Sequence, residues 1–271
     1  QAPWYALAAL HLGLGFWALL TLIPFFWLVC ASLKKDTFTH MFLPPLPEWD
    51  VEMGLSNFRK LFLETGFFRY MINSGFLAAA GTLISMAGSL MAGFALAKYK
   101  FRGQAVIMAV MLASLMIPGE VLLGPTFDIV YRLGWVDSYA ALLVPGLAST
   151  FAILFYRQAF LNIPDELLEA ARIDGASELR VAWDIAVPQV RPMIGALSLA
   201  GFLGSWNSFL WPQIILRTQE KMPLPVALAQ LQSVYSTEYG LIMAGTLVSI
   251  VPVVIVFMLF QKDFISGLTQ G

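Results

Sequence analysis

Charged and polar side chains concentrate in one stretch of an otherwise apolar chain, from Pro164 to Pro188. It begins Pro-Asp-Glu-Leu-Leu-Glu-Ala-Ala-Arg, and a proline followed by two acids is typical of a helix start. Gly175 can take the left-handed conformation that ends a helix, and Ser177 or Asp174 could cap the next one. The pattern predicts two short amphipathic helices around one turn. Such an element is either a surface that docks a soluble partner or an ordinary loop.

Residues that could act as metal ligands or nucleophiles are few elsewhere. The single cysteine, Cys30, lies in an apolar segment, where packing is its expected role. The two histidines, His11 and His40, are far apart, and no His/Cys/Asp/Glu cluster has the spacing of a metal site. The chain contains no G-x-x-x-x-G-K-[ST] sequence that would form a P-loop. We therefore expect no catalytic residue, metal ion or cofactor on this chain.

The composition indicates an integral membrane protein. Of the 271 residues, 59% are hydrophobic and 12% are charged, against about 25% charged in a soluble domain. The net charge of −1 does not suggest binding to nucleic acid. Because the chain begins at Gln1 rather than at a methionine, we expect the natural N-terminus to lie upstream.

Six apolar stretches are long enough, or nearly so, to cross a bilayer, which takes about 20 residues. They predict an all-α membrane protein, with spans at 8–30, 72–97, 104–123, 139–158, 193–216 and 240–260. The third span meets Pro118 and Glu120 early, so we expect it to be short, kinked or tilted. Lys and Arg divide equally between the two sides, so the positive-inside rule does not orient these spans.

Small residues recur every four positions in the second and fifth spans. Such a stripe lets another helix backbone approach closely, and helix packing is favoured over a substrate channel. The two stripes are Gly81, Ser85, Ser89 and Gly93, and Ala196, Ala200, Gly204 and Ser208.

The fifth span ends in aromatic rings, an amide and a proline. Aromatic faces stack on sugar rings and an amide can bond sugar hydroxyls, so Trp206 and Asn207, with Tyr131, are candidate substrate contacts. Trp and Tyr also belong at membrane interfaces, and anchoring there is the favoured interpretation.

The stretch around Glu169 resembles a known element. Glu169-Ala170-Ala171, then Gly175, Ile185 and Pro188, is similar to the "EAA" loop of ATP-binding-cassette importer permeases, with Val187 where the family usually has Leu. That loop is the element seated in a groove of the ATPase subunit.

Two more segments resemble sugar-type permeases of this class. The run from Trp206 to Pro212 is similar to their WNEFLWP segment, with Ser208 replacing the acid, so no role of that acid is carried over. From Phe260 the chain is similar to their FQ..F..GL..G tail.

The resemblance implies a type I importer permease fold. This is a single transmembrane domain over 1–271, with about six transmembrane helices and a two-helix coupling loop at about 161–192. The coupling loop and both termini would lie in the cytoplasm, and the protein would be a multi-pass protein of the bacterial inner membrane. The implied function is ATP-driven, binding-protein-dependent import of a sugar, oligosaccharide or sugar-like solute.

The resemblance also implies partners: a second homologous permease, two cytoplasmic ATPase subunits that bind ATP and Mg, and a periplasmic or extracellular solute-binding protein. Glu169 would form a polar latch to a basic ATPase residue, small residues would let the loop seat closely, and leucine and isoleucine would supply apolar contact. The implied docking residues are Leu167, Leu168, Glu169, Ala170, Ala171, Ile173, Asp174, Gly175, Ser177, Ile185 and Pro188.

A stand-alone secondary transporter or channel is the alternative. Such proteins tend to carry charged residues at mid-membrane or inverted repeats, and the spans contain neither. A membrane-embedded enzyme would need a convergent acid, base or metal cluster, and the spans offer none.

Overall fold

A computed structural model describes residues 3–34, 54–235 and 238–269, with side chains through Lys262. This part of the chain is almost entirely helical, as its apolar spans predict. In chain order, helices α1 to α14 are Trp4–Leu33, Ser56–Glu64, Phe67–Lys98, Gln104–Ser114, Leu123–Arg132, Ala140–Leu143, Thr150–Leu161, Asp165–Ile173, Glu178–Arg180, Val187–Gln189, Arg191–Trp206, Leu210–Ile215, Leu224–Val234 and Tyr239–Thr269.

Within the described residues, four segments are long and apolar enough to cross a membrane: Trp4–Leu33, Phe67–Lys98, Ala140–Leu161 and Tyr239–Lys262. Two bent pairs bring the number to six if each pair is one span. They are Gln104–Ser114 with Gly119–Arg132, bent by 100°, and Glu178–Gln189 with Arg191–Trp206, bent by 84°.

Prolines set the breaks in the third and fifth apolar stretches. A proline inside a helix cannot donate to the carbonyl four residues earlier, and its ring crowds that carbonyl. Helix α4 ends at Ser114, four residues before Pro118. Helix α11 ends at Trp206 and α12 starts at Leu210, so the break includes Ser208, four residues before Pro212. The predicted span at 193–216 is therefore two helices.

The described residues group into two compact units, one of which is formed by those within 1–69 and 227–252. In this unit the Asn57 side chain fastens α2 to the end of α1. Its Nδ2 donates to the carbonyl oxygens of Ser32 (2.9 Å) and Lys34 (2.7 Å).

The other unit comprises Tyr70–Val226 and Val253–Gly271. In this unit, Ser89 and Gly93 of the small-residue stripe on α3 pack against another helix, as predicted. Ser89 is fully buried and its Oγ accepts a hydrogen bond from the Ser149 N–H (3.0 Å) at the start of α7. A Cβ added at Gly93 would lie 2.8 Å from the Tyr156 Cβ, so only glycine permits this approach of α3 and α7.

Candidate functional site

The predicted hairpin is present and begins with α8, Asp165–Ile173. Pro164 precedes the helix in an extended conformation, and Asp165 and Glu166 form its first turn. At its other end Gly175 has φ +85°. The Gly175 N–H donates to the Arg172 carbonyl and the Ala176 N–H to the Ala171 carbonyl, both at 3.0 Å. This paired pattern is the Schellman motif, which satisfies the last carbonyls of α8 and reverses the chain.

The second arm of the hairpin starts with a cap and contains a π-helical turn. The Ser177 side chain accepts a hydrogen bond from the Arg180 N–H at the start of α9, which confirms Ser177 as the cap. Residues 181–186 then form a π-helix that leads into α10. Pro188 cannot donate to the Asp184 carbonyl, and the wider turn accommodates that missing bond.

A buried core holds the hairpin against the transmembrane helices. Leu168 of α8 is 1% exposed. From the second arm, Val181, Ala182 and Ala186 are at most 1% exposed. They share one hydrophobic cluster with α3 and α7 side chains, namely Leu90, Phe94, Tyr156 and Phe160. Because both arms of the hairpin contribute buried apolar side chains to this cluster, the hairpin is anchored to α3 and α7.

Two polar contacts reinforce this core at the end of α3. The Lys98 ammonium, with a side chain only 6% exposed, lies 2.6 Å from Asp165 Oδ1 and donates to the Ile163 carbonyl at 2.6 Å. These contacts link α3 to the start of α8.

A second clasp closes the turn of the hairpin. The Arg172 guanidinium donates to both carboxylate oxygens of Glu178, at 2.7 and 3.1 Å. The Tyr99 hydroxyl donates to the same carboxylate. The Arg–carboxylate pair is bidentate, so it fixes orientation as well as distance.

These contacts shift the pKa values of the groups that make them. The hydrogen bond from Lys98 and its positive charge lower the pKa of Asp165 below its ordinary value. The hydrogen bond to Glu178 raises the pKa of Arg172. Burial, and then the hydrogen bond to Glu178, raises the pKa of Tyr99. Hydrogen bonds from Arg172 and then from Tyr99 lower the pKa of Glu178. The Arg172–Glu178 pair is therefore charged at neutral pH, while the Tyr99 hydroxyl keeps its proton.

The outward face of the hairpin presents apolar and acidic groups side by side. Ile173 is 86% exposed and Leu167 is 43% exposed. Glu169, Ala170 and Asp174 are also exposed. This face therefore offers both apolar surface and carboxylates to the surroundings.

The predicted docking residues fall into an exposed group and a group that is buried or half-buried against the rest of the chain. Leu167, Glu169, Ala170, Ile173, Asp174, Gly175 and Ser177 are exposed. Leu168 faces the core, and Ala171, Ile185 and Pro188 are half-buried.

Sequence reasoning missed the residues that hold the hairpin: Lys98, Tyr99, Arg172 and Glu178. Lys98 and its partner Asp165 lie 67 residues apart along the chain, and Tyr99 and Glu178 lie 79 residues apart. No local pattern signals such pairs. Only the Arg172–Glu178 spacing of six residues, across a predicted turn, could have pointed to a contact.

The three candidate substrate contacts differ in solvent exposure and in the groups that they contact. Trp206 is 4% exposed and stacks on Phe202, with ring centroids 5.9 Å apart. Tyr131 is 67% exposed and stacks on Phe127 at 6.3 Å. Asn207 is exposed and its Nδ2 donates to the Leu203 carbonyl at 2.9 Å.

Across the described residues, no group of three or more His, Cys, Asp or Glu side chains comes together in a way that could hold a metal ion.

Several apolar helices of membrane-spanning length, with one charged hairpin anchored to them, define a multi-pass membrane protein. The chain belongs to the family described as "binding-protein-dependent transport system inner membrane component", which matches residues 84–266. It is therefore an inner-membrane permease component of such a transport system, and the predicted family is confirmed.

Two relatives and one solved structure illustrate the similarity. The chain is 36% identical over 269 residues to the arabinooligosaccharides transport system permease protein AraQ of Halalkalibacterium halodurans, covering 97% of this chain and 94% of that one. It is 34% identical over 212 residues to the sn-glycerol-3-phosphate transport system permease protein UgpE of Yersinia pestis, covering 76% and 74%.

The structure superposes on a chain of a bacterial ABC transporter involved in the import of the acidic polysaccharide alginate. The TM-score is 0.82 at 24% identity, covering 96% of both chains. This likeness confirms the predicted all-α importer permease fold.

Proposed function

We propose that this chain is one transmembrane subunit of an ATP-driven importer and that the hairpin α8–α10 is its docking surface for an ATPase subunit. One observation carries the proposal. In a chain of the inner-membrane transport family, the most charged element is a pre-ordered turn that exposes Ile173 and Glu169 while Leu168 anchors it. A hairpin that is packed rigidly against the transmembrane helices can transmit a movement of the bound ATPase subunit to those helices, because it does not deform independently of them.

The chemistry of the face suits a basic groove with an apolar floor. Glu169 supplies a carboxylate for a cationic ATPase side chain. Leu167 and Ile173 bury apolar surface on docking. Ala170 and Gly175 are small, so the partner backbone can approach closely. Leu168, Ala171, Ile185 and Pro188 support the face from within.

ATP and Mg bind the partner ATPase subunits in this proposal, and this chain supplies no catalytic group. ATP favours the state in which the ATPase dimer is closed, and the docked hairpins pass that preference to the permease pair. The other partners are a second homologous permease and an external solute-binding protein.

The proposed cargo is a sugar, oligosaccharide or sugar-like solute, because the relatives are named for arabino-oligosaccharides and sn-glycerol 3-phosphate. The favoured topology is a single transmembrane domain over 1–271, with loop 161–192 and both termini cytoplasmic. Part of the tail that resembles FQ..F..GL..G lies outside the residues whose side chains are described. Trp206, Asn207 and Tyr131 stay proposed substrate contacts, and anchoring at the membrane interface is the competing role for the two aromatic residues.

Co-purification through a tag on this chain tests the proposal. The complex is purified from its native membrane and ATP hydrolysis is measured with and without solute and binding protein. Glu169→Ala and Gly175→Asp should lose the ATPase subunit, or keep it and lose solute-stimulated turnover. Glu120→Ala removes an equally exposed carboxylate away from the hairpin and should behave as wild type. A chain that purifies without any ATPase and transports without ATP would instead be a stand-alone carrier.

A further inference from the structure

Three cationic side chains lie near the end of the molecule that carries the hairpin without an acidic partner of their own. Lys100 and Arg102 are exposed in the tight loop that joins α3 to α4, and Arg157 is half-buried in α7. In the described part of the chain, none of the three forms an ion pair with a carboxylate. Asp165 feels the positive charge of Lys100, but its carboxylate is bound by Lys98.

Arg157 is oriented by one hydrogen bond that leaves most of its donors open. Its Nε donates to the Leu96 carbonyl at 3.3 Å. The same oxygen accepts a hydrogen bond from Gln104 Nε2 at 2.7 Å, so Arg157 lies beside the first residue of α4. Among the described residues, the terminal guanidinium nitrogens of Arg157 have no partner. A guanidinium held at Nε presents these two nitrogens as a fork, and that fork matches the oxygens of a phosphate group.

These groups lie where the apolar helices reach the edge of the membrane. The membrane-spanning segment Ala140–Leu161 ends four residues after Arg157. The spanning segment Phe67–Lys98 ends two residues after Leu96. The last turn of a spanning helix reaches the level of the lipid headgroups, where a long cationic side chain can extend to a phosphate.

An exposed apolar surface continues from the cationic loop along α4. Phe101, between the two loop cations, is exposed. Val106 and Val110 of α4 are exposed too, and they share one face because they are one helical turn apart. A free phosphate ion gains nothing from such a surface, whereas the acyl chains of a phospholipid pack on it. The arrangement therefore suits a phosphate that carries acyl chains.

The net charge of the cluster selects among phospholipids. A cation near the hydrocarbon region without a countercharge is costly, and an anionic headgroup supplies that countercharge. A zwitterionic phospholipid carries its own ammonium group, so it brings no net negative charge to offset the three cations. Each lysine or arginine near the membrane surface favours an anionic lipid by about 5-fold.

We propose that Lys100, Arg102 and Arg157 form a binding site for the phosphate headgroup of an anionic phospholipid, whose acyl chains lie along α4. The segment that carries Lys100 and Arg102 follows Lys98 and Tyr99, which hold the hairpin, so the site adjoins the base of the docking surface. The site does not depend on which partner the hairpin docks, and its test therefore stands apart from that of the proposed function.

Lipid titration of the purified complex tests the site. The complex that contains this chain is purified in detergent, dioleoyl-phosphatidylglycerol is added, and bound lipid is counted by native mass spectrometry. Dioleoyl-phosphatidylcholine is the matched probe, because it has the same acyl chains and no net charge. The wild-type complex should retain phosphatidylglycerol at concentrations where phosphatidylcholine is lost. Equal retention of the two lipids would overturn the anionic site.

Charge-removing variants locate the binding. Arg157→Gln should raise the Kd for phosphatidylglycerol by about 10-fold, the effect of one lost charge-assisted contact. Lys100→Gln combined with Arg102→Gln should raise it by about 25-fold, since each of the two charges contributes about 5-fold.

Two other arginines supply the controls. Arg132→Gln removes the same charge from α5, where Arg132 pairs with Asp128, and Arg180→Gln removes it from the hairpin, where Arg180 pairs with Asp184. Both variants should bind phosphatidylglycerol as wild type does. A loss of affinity in either control equal to that of Arg157→Gln would show a diffuse attraction to positive charge and would overturn the site.

Thermal melting separates lipid binding from a structural role of Arg157. Glutamine can still donate to the Leu96 carbonyl, so Arg157→Gln should melt like wild type when no phosphatidylglycerol is added. Arg157→Lys keeps the charge and loses the fork, and its Kd should lie between those of wild type and Arg157→Gln. A lower melting point with unchanged lipid binding would make Arg157 structural and would overturn its ligand role.

Competition experiments separate the lipid from other anionic partners. Inorganic phosphate at the concentration of the lipid should leave phosphatidylglycerol bound, because it lacks the apolar contact with α4. Displacement under these conditions would assign the cluster to a free anion and overturn the lipid site. Loss of the ATPase subunit from the Lys100→Gln and Arg102→Gln double variant, with lipid binding unchanged, would assign the cluster to a protein contact and overturn it too.

Discussion

Replacing Gly175 should destabilise the turn of the hairpin by an amount set by the backbone conformation at this residue. Its φ is +85°, in the left-handed region, and a Cβ built there meets no atom within 4 Å. A steric clash therefore contributes nothing, and the cost of Gly175→Ala is the strain of an L-residue in that conformation, about 1–2 kcal/mol. Such a change alters the ratio of folded to unfolded turn by about 5- to 30-fold.

A graded series separates this effect from a general loss of stability. Gly175→Asn should cost less than Gly175→Ala, because Asn is tolerated in the left-handed conformation. Gly175→Val should cost more, since β-branched residues are strongly disfavoured there. Gly124→Ala is the matched control: φ is not left-handed, the added Cβ meets nothing, and alanine should be neutral or favourable in a helix.

The assay is ATPase retention on purified complexes over increasing detergent or salt, with thermal melting of the same samples. Retention should fall in the order glycine, asparagine, alanine, valine, and the Gly124 variant should match wild type. If Gly175→Ala retains the ATPase and melts like Gly124→Ala, the left-handed turn does not hold the docking surface and the reasoning is refuted.

Three further predictions concern the hairpin and a neighbouring loop. Leu168→Ala should lower the free energy of unfolding by about 2–5 kcal/mol, because the side chain is 1% exposed. Ile173→Ala, at 86% exposed, should leave unfolding unchanged and weaken ATPase retention, so equal melting of the two would contradict the core assignment. Arg172→Ala, Glu178→Ala and the double variant should give a coupling energy of about 0.2–1 kcal/mol in a thermal double-mutant cycle, because the pair is partly solvent-exposed. A coupling of zero would mean that the pair does not close the turn. Hydrogen bonds from the Lys221 and Thr218 side chains and from two backbone N–H groups lower the pKa of Asp137 from its ordinary 3.8. The ionised carboxylate therefore stabilises the folded state above pH 3.8, and this contribution is lost as the pH falls through the lower pKa of the folded state. The melting-point gap between wild type and Asp137→Asn should therefore stay constant from pH 7 to about pH 5 and narrow below pH 4; a gap that widens with acid would contradict the assigned sign.

The Asp137 contact also illustrates a limit of local reasoning. Its Oδ1 accepts from the Arg217 and Thr218 N–H groups at 2.9 Å, and its Oδ2 lies 2.8 Å from the Lys221 ammonium. Asp137 has φ +60° in the left-handed region, and its partners lie 80 to 84 residues further along the chain. No local pattern around Asp137 indicates these partners.

The sequence by itself determined the helices and the hairpin. Long apolar runs must hydrogen-bond their own backbone in a membrane, so they become helices wherever they lie. Gly175 and Ser177 were readable because caps and turns depend on residues within one or two turns of each other. Pro118 and Pro212 lie four residues after the breaks at Ser114 and Ser208, as the reach of a proline predicts. Pro24 and Pro252 lie inside unbroken helices, so the position of a proline does not by itself decide where a helix breaks.

Tertiary structure decided which side chains face outward and what holds them. Leu167 and Leu168 are adjacent and chemically identical, yet one is 43% and the other 1% exposed, because only the packing of α3 and α7 selects a face. The contacts of Lys98 and Tyr99 join residues 67 and 79 apart. Such contacts are selected by three-dimensional packing, which no short-range pattern in the chain encodes.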